Sequence, residues 1–280
     1  MSEKLNLLIA YPYLDKSSQK LLAEHQGSIR FLLDSGAFTA WKSGKPITLD
    51  DYCRFLEALP ITPWRYFTLD VVGDPHATRE NYETMLKRGF KPVPIFTRGG
   101  ALEMLDAYYE ASDLVGLGGV VRKGNDTFAW LKAVIRHAGK RAVHILGFTV
   151  IDWLKYFRPF SCDSSSYSCA ASFGKISIYM GAGRITYKGR QEFNALPPAQ
   201  VRHAIEALGF DWREMAREAS WRKLNLTYRL SVASWIKAGL EVEQHLGTKL
   251  FLAASAAKHI ERIIEEFHRV QHLRGAGTNR

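Results

Sequence analysis

The strongest constraint on the fold is an alternation that begins near the N-terminus and runs more than halfway along the chain. Short apolar runs at Leu5–Leu14, Ile29–Leu33, Trp64–Leu69, Lys91–Phe96, Leu114–Gly118, Ala142–Leu146 and Phe160–Cys162 are strand-like. Between them lie stretches of helical composition at Ser17–Gln26, Asp50–Leu59, Pro75–Arg88, Ala101–Ser112, Asp126–His137 and Val150–Phe157. Ser17 or Ser18 is the expected N-cap of the first helix, and Thr48-Leu-Asp-Asp51 resembles the capping box that opens the second. Apolar strands joined by short helical connections pair in parallel through right-handed crossovers. A doubly wound open sheet is the competing topology. Near-equal spacing over a 280-residue chain favours an α/β fold of the (β/α)8 TIM-barrel type.

After residue 163 the rhythm breaks. Residues 164–197 are rich in Ser, Gly and aromatics and suggest a long loop or small hairpin, a length that is uncommon unless functional. Helices are expected at Pro198–Leu208, Trp212–Glu218 and Leu224–Leu246, and an eighth strand at Lys249–Ala254. The last helix carries an apolar stripe of Ile260, Ile263, Ile264, Phe267 and Val270, followed by a frayed tail at Gly275–Arg280. The expectation is one barrel domain over residues 1–280, with a long insertion between strands 7 and 8 at about 164–247.

Charge narrows the partners. Thirty-eight Lys and Arg against 28 Asp and Glu give a formal +10, which favours contact with a polyanion. Residues 171–239 hold eleven basic and five acidic side chains, so the excess is concentrated there. Tyr179, Tyr187 and Trp221 lie in that segment and are candidates for stacking on bases. The apolar runs are too short to cross a bilayer, and the N-terminus opens directly onto a strand, so neither a membrane span nor a targeting peptide is expected. Cys53, Cys162 and Cys169 have no disulfide spacing and suit a reducing cytoplasm. The nine histidines do not fall at metal-ligand spacings with them, so no metal is expected. Gly116-x-Gly-Gly119 lacks the downstream Lys of a phosphate loop, and no cofactor is implied.

Three of the expected strands run into an aspartate: Asp34, Asp70 and Asp163. A parallel barrel delivers all its strand ends to one face, so residues distant in sequence would ring one cavity. Each Asp alone is as well explained as a turn residue; the three together favour a shared site. Two carboxylates across a sugar equip a site to cut a glycosidic bond, one attacking C1′ and the other transferring the proton. Neighbouring serines would help keep Asp163 ionised. A carboxylate such as Asp70 can accept from guanine N1–H and its 2-amino group together, while backbone N–H groups at Gly118 and Gly119 can meet O6. Phe38 offers a stacking face. His144, inside a strand, is more simply a satisfied core histidine than a general base. These signals fit a purine-like base on a sugar and leave the reaction open.

The ordered set of motifs resembles the tRNA-guanine transglycosylase superfamily over roughly residues 5–165. Asp34-Ser-Gly-Ala-Phe38 is similar to the family's Asp-Ser-Gly-Gly-Phe element, Leu117-Gly-Gly119 to its glycine turn, and Leu146-Gly-Phe-Thr149 to its Met/Leu-Gly segment. Asp163 after Phe-Ser-Cys resembles the region carrying the nucleophile. The resemblance implies Asp163 and Asp34 as catalytic residues. It implies Ser35, Phe38, Asp70, Gly118, Gly119, Leu146 and Gly147 as base-binding residues. The family's Gln-Gly-Gly appears here as Arg98-Gly-Gly100, its Pro-Thr-Arg run is replaced by Ser164–Ser168, and its cysteine-rich zinc site is missing. A short, zinc-free, basic chain is most similar to the phage-type DNA-guanine transglycosylases. That implies exchange of guanine in DNA for a free 7-deazaguanine such as 7-cyano-7-deazaguanine, in the cytoplasm, or the host cytoplasm for a phage-encoded enzyme. A tRNA-guanine transglycosylase and a hydrolytic purine DNA glycosylase are the alternatives.

Overall fold

The computed structural model describes residues 3–120, 124–148, 150–222 and 225–277, so the expectations that touch Thr149, Leu224 and residues 278–280 lie outside that range. One parallel sheet holds β1 (Leu5–Ala10), β2 (Ile29–Asp34), β3 (Arg65–Tyr66), β4 (Ile95–Phe96), β5 (Leu114–Leu117), β6 (Ala142–Ile145) and β7 (Ser161–Ser164). A separate antiparallel hairpin follows, β8 (Lys175–Tyr179) with β9 (Ile185–Gly189), and then β10 (Lys249–Ala254) returns to the sheet. The strand order is β3-β2-β1-β10-β7-β6-β5-β4, every pairing parallel. Its two edge strands approach each other through one parallel bridge, Phe67 to Val93. There Val93 N–H donates to the Tyr66 carbonyl at 2.8 Å and Thr68 N–H to the Val93 carbonyl at 3.0 Å. The fold is thus α/β, a curled eight-stranded parallel sheet flanked by helices and compatible with a TIM-like barrel.

All six residues of β1 are buried, as expected for a parallel strand covered on both faces. Side chains alternate along each strand, so one set points inside the curl and the other toward the helices. The inward set forms its own cluster: Leu8, Leu32, Phe67, Val93, Ile95, Leu114 and Phe251, joined by Trp64, Ala142, Leu146, Phe160 and Ala253. Trp64 stacks between Phe160 and Phe251, with ring centroids at 6.1 and 5.7 Å. Each fully buried aromatic or aliphatic side chain contributes about 1.5–3 kcal/mol. The interior is therefore a packed plug. Toward the C-terminal ends of the strands the same inward set continues to Asp34, two residues beyond Leu32, to Gly118, and to Asp163, the register partner of Phe251 beside Leu146.

Several boundaries differ from the sequence expectations. β1 ends at Ala10, where Pro12 turns the chain into a short 3-10 turn at Tyr11–Tyr13. The first helix is Lys16–Glu24, capped by Asp15, whose carboxylate accepts from Ser18 N–H at 2.7 Å; Ser17 and Ser18 sit inside it. A helix at Ala37–Ser43 stands between the second strand and the capping box at Thr48, where the sequence marks no element. Trp212–Ala216 and Glu218–Trp221 are two 3-10 turns where one helix was expected. The last helix spans Ala257–Gly277, and Arg274 pairs with Glu3 at 2.6 Å, so the expected fraying does not begin at Gly275.

The segment between β7 and β10 is a packed layer. Of the long loop or small hairpin expected there, the hairpin is present as β8–β9, preceded by a helix at Ser166–Ser172. Ile176, Ile178 and Tyr179 of β8 are buried against the long helix Leu226–Leu246. The edge of β8 away from β9 would leave N–H groups unpaired, a cost of about 1–3 kcal/mol each when buried. Two helix serines meet them: Ser231 Oγ accepts from Ser177 N–H at 3.0 Å and Ser234 Oγ from Tyr179 N–H at 3.1 Å. Glu266 of the last helix is fully buried between Arg229 and Arg269, at 2.6 and 2.5 Å, which ties that helix to Leu226–Leu246.

Candidate active site

Asp34 ends β2 in register with Ala10 of β1, and Asp163 lies inside β7 opposite Phe251, one residue before the strand ends. Asp70 follows β3 by four residues. The local chain explains how Asp34 is held. Gly36 adopts φ +78, a left-handed conformation open chiefly to glycine, and its N–H turns back to Asp34 Oδ2 at 3.0 Å. A side chain at Gly36 would also run into the Pro12 ring. Ser35, buried, donates its hydroxyl to Asp70 Oδ1 at 3.1 Å, which links the second and third strand ends directly.

Asp34 feels both of the other carboxylates. Burial, then the charges of Asp70 and Asp163, raise Asp34 from its ordinary 3.8 to about 7, against the opposing Gly36 and Ser35 N–H groups. Burial also raises Asp70, opposed mainly by the Ser35 hydroxyl. A carboxyl that titrates near neutrality can both give and take a proton at working pH.

Asp163 is 7% exposed. Its Oδ1 accepts from Gly147 N–H at 2.8 Å and lies 3.1 Å from His144 Nε2. Gly147 reaches this geometry at φ +64, just past the end of β6. His144 is fully buried, and its Nδ1 sits 2.8 Å from Ser161 Oγ. The sequence reading as a core histidine holds for its burial, but it missed the contact with Asp163. The signal was present in the alternation: His144 stands two residues before Leu146, and Ser161 two before Asp163, so all four share the inward face.

The other expected site residues divide. Leu146 joins the inward cluster, and Gly118 lies beside Thr97, whose Cγ2 would stand 3.0 Å from a Cβ at that position. Gly119 follows at the rim, next to Arg98. Arg98, absent from the expected set, is anchored on helix Asn125–Ala138: Nη2 donates to Thr127 Oγ1 at 2.6 Å and the guanidinium lies 5.6 Å from the Trp130 ring. Phe38 lies on the first turn of Ala37–Ser43, 50% exposed, with its ring 5.9 Å from Trp41 and no described contact to the carboxylates.

In the basic segment Tyr179 is buried and Trp221 is partly buried, its Nε1 donating to the Met215 carbonyl at 2.7 Å, so neither offers a free face; Tyr187 remains exposed. Phe173, which sequence reasoning passed over, is the most exposed large apolar side chain among the described residues, at 79%. Lys188, Arg190, Arg213, Arg217 and Arg229 are ion-paired. Lys175, Arg184 and Arg222 are exposed and carry much of the outward positive charge. Among the described residues no group of three or more His, Cys, Asp or Glu is arranged to hold a metal ion, and no helix is long and apolar enough to cross a membrane.

Comparison with protein-family models, with curated proteins and with solved structures finds no match for this chain. What the fold and site define is a class: a curled parallel α/β sheet with three interacting carboxylates at the C-terminal ends of its strands.

Proposed function

We propose that this chain is a base-exchange enzyme of the transglycosylase type, which replaces guanine in DNA by a 7-deazaguanine base through a covalent aspartyl-nucleotide intermediate. In this reading the curled sheet is a closed (β/α)8 TIM barrel, and residues 164–247 are an insertion between its last two strands. The observation that carries the reading is the electrostatic coupling of Asp34 to Asp70 and Asp163, which holds one carboxyl near neutrality beside two others.

The roles follow from the contacts. Asp163, with Oδ1 held by Gly147, attacks C1′ through its other oxygen as the C1′–N9 bond breaks. Guanine leaves with a proton from Asp34. The incoming base gives its N9 proton back to Asp34, and N9 attacks C1′ and frees the Asp163 carboxylate. Two inversions retain configuration. Asp70, which Ser35 orients, accepts in this reading from the guanine N1–H and 2-amino groups, which the entering and leaving bases share. The target nucleotide must leave the stack to reach a site at this depth. Lys175, Arg184 and Arg222 supply phosphate contacts, and Tyr187 and Phe173 supply stacking faces.

The test is incubation with labelled guanine and, separately, guanine-containing DNA and tRNA. Label entering DNA supports the reading. Label entering tRNA alone assigns the chain to the tRNA enzymes, and base release without incorporation assigns it to the hydrolytic glycosylases. No label movement and no release from either substrate overturns it.

A further inference from the structure

We propose that His144 is a positioning residue for the Asp163 nucleophile and that Ser161 sets the tautomer in which it works. The inference rests on the reading of Asp163 as the residue that attacks C1′, and extends it to a polar chain of three side chains.

His144 and Ser161 are register partners across β6 and β7, so their side chains lie on the same face at the same level. Asp163, two residues beyond Ser161, stands on that face one level higher. The contacts follow this geometry: Ser161 Oγ to His144 Nδ1 at 2.8 Å, then His144 Nε2 to Asp163 Oδ1 at 3.1 Å. His144 and Ser161 are fully buried. The remaining surroundings of the imidazole include two aromatic rings, Phe67 at 5.0 Å and Phe251 at 6.1 Å.

Proton bookkeeping decides the tautomer. A carboxylate oxygen facing Nε2 at hydrogen-bond distance needs a proton on that nitrogen. In the neutral ring Nδ1 then carries a lone pair, and the Ser161 hydroxyl, able to rotate, donates to it. With the His144 Nε2–H and the Gly147 N–H both on Oδ1, the Asp163 carboxylate cannot rotate freely; among the described residues no hydrogen bond falls on Oδ2, the oxygen that meets C1′. A single donor would let the carboxylate swing, and loss of alignment of about 1 Å at a reacting group costs on the order of 100-fold in rate. A histidine serving only as core filling would not select a tautomer against the nucleophile, nor affect kcat of the folded enzyme.

Three variants and one spectrum test this on the full chain. Gln extends an amide N–H to about the position of Nε2, whereas Asn stops near Nδ1. The expectation for His144→Asn is a kcat for base exchange lower by roughly 10- to 100-fold, with KM for the incoming base unchanged. His144→Gln should regain most of the rate, and Ser161→Ala should lower kcat by less than His144→Asn. Nitrogen-15 NMR of histidine-labelled protein, with the His144 signals assigned in the unmodified chain through its ring contact with Phe67, should show Nε2 protonated and Nδ1 as an acceptor. An Nδ1–H tautomer overturns the proposal even if every variant fails to fold. Equal kcat in the wild type and His144→Asn, while Asp163→Asn is inactive, overturns it and leaves the nucleophile assignment standing. Undiminished exchange by Asp163→Asn removes the nucleophile reading and this proposal with it.

Discussion

Asp34→Asn makes a prediction about stability that is independent of substrate. The Asp34 carboxyl, itself half-buried, rises from 3.8 to about 7 through loss of water around it and then through the charges of Asp70 and Asp163. The sign follows from linkage. Between pH 4 and 7 the native state holds a proton that the unfolded chain has lost, so stability falls as pH rises through this window and levels off above 7. At about 1.4 kcal/mol per pH unit, the full rise corresponds to about 4 kcal/mol. That is an upper bound, because Asp34 is partly exposed and the charge is shared with two neighbours. Asn keeps an oxygen for the Gly36 N–H and carries no charge. Asp34→Asn should therefore raise the melting temperature at pH 8 by several degrees and change it little at pH 4, while abolishing base exchange. Differential scanning fluorimetry across pH 4–9 checks this. Destabilisation of equal size at pH 4 and pH 8 would refute the claim that Asp34 is held against its own charge.

Other consequences test the scaffold and the polyanion surface. Gly36→Ala puts a methyl against the Pro12 ring in a left-handed backbone, and should cost about 2–4 kcal/mol in urea denaturation. Glu266→Gln leaves Arg229 and Arg269 without their shared carboxylate; since both guanidinium groups are partly exposed, the loss should be about 3 kcal/mol, seen as a lower denaturation midpoint. Replacing Lys175, Arg184 and Arg222 by alanine should weaken DNA binding and reduce the slope of log K against log salt by roughly 0.9 for each phosphate that is no longer neutralised. An unchanged slope would move the DNA surface elsewhere.

The parallel layout was legible because strands buried on both faces read as apolar runs, and because their order round the sheet follows the chain apart from the hairpin β8–β9. The ends of those runs brought out Asp34, Asp70 and Asp163, since each follows an apolar strand-like stretch. Contacts between strands were less legible. Asp163 and His144 are nineteen residues apart, and only the register of β6 against β7 brings them together. Serine in a helix normally marks a cap or a solvent face, so Ser231 and Ser234 gave no hint that they satisfy the free edge of β8. Residues 164–197, read as a long loop or small hairpin, do hold the hairpin β8–β9, and only one strand of it, through Ile176, Ile178 and Tyr179, is buried under Leu226–Leu246. Tyr179 followed the same course: a candidate for base stacking by composition, it is core because a helix covers its strand.

The most direct test of the central claim is mass spectrometry of the chain quenched with acid during turnover on guanine-containing DNA. A nucleotide adduct is expected on the peptide containing Asp163, formed as guanine is released, discharged by an incoming base, and absent from Asp163→Asn. An adduct on a different residue, or normal exchange by Asp163→Asn, would contradict it.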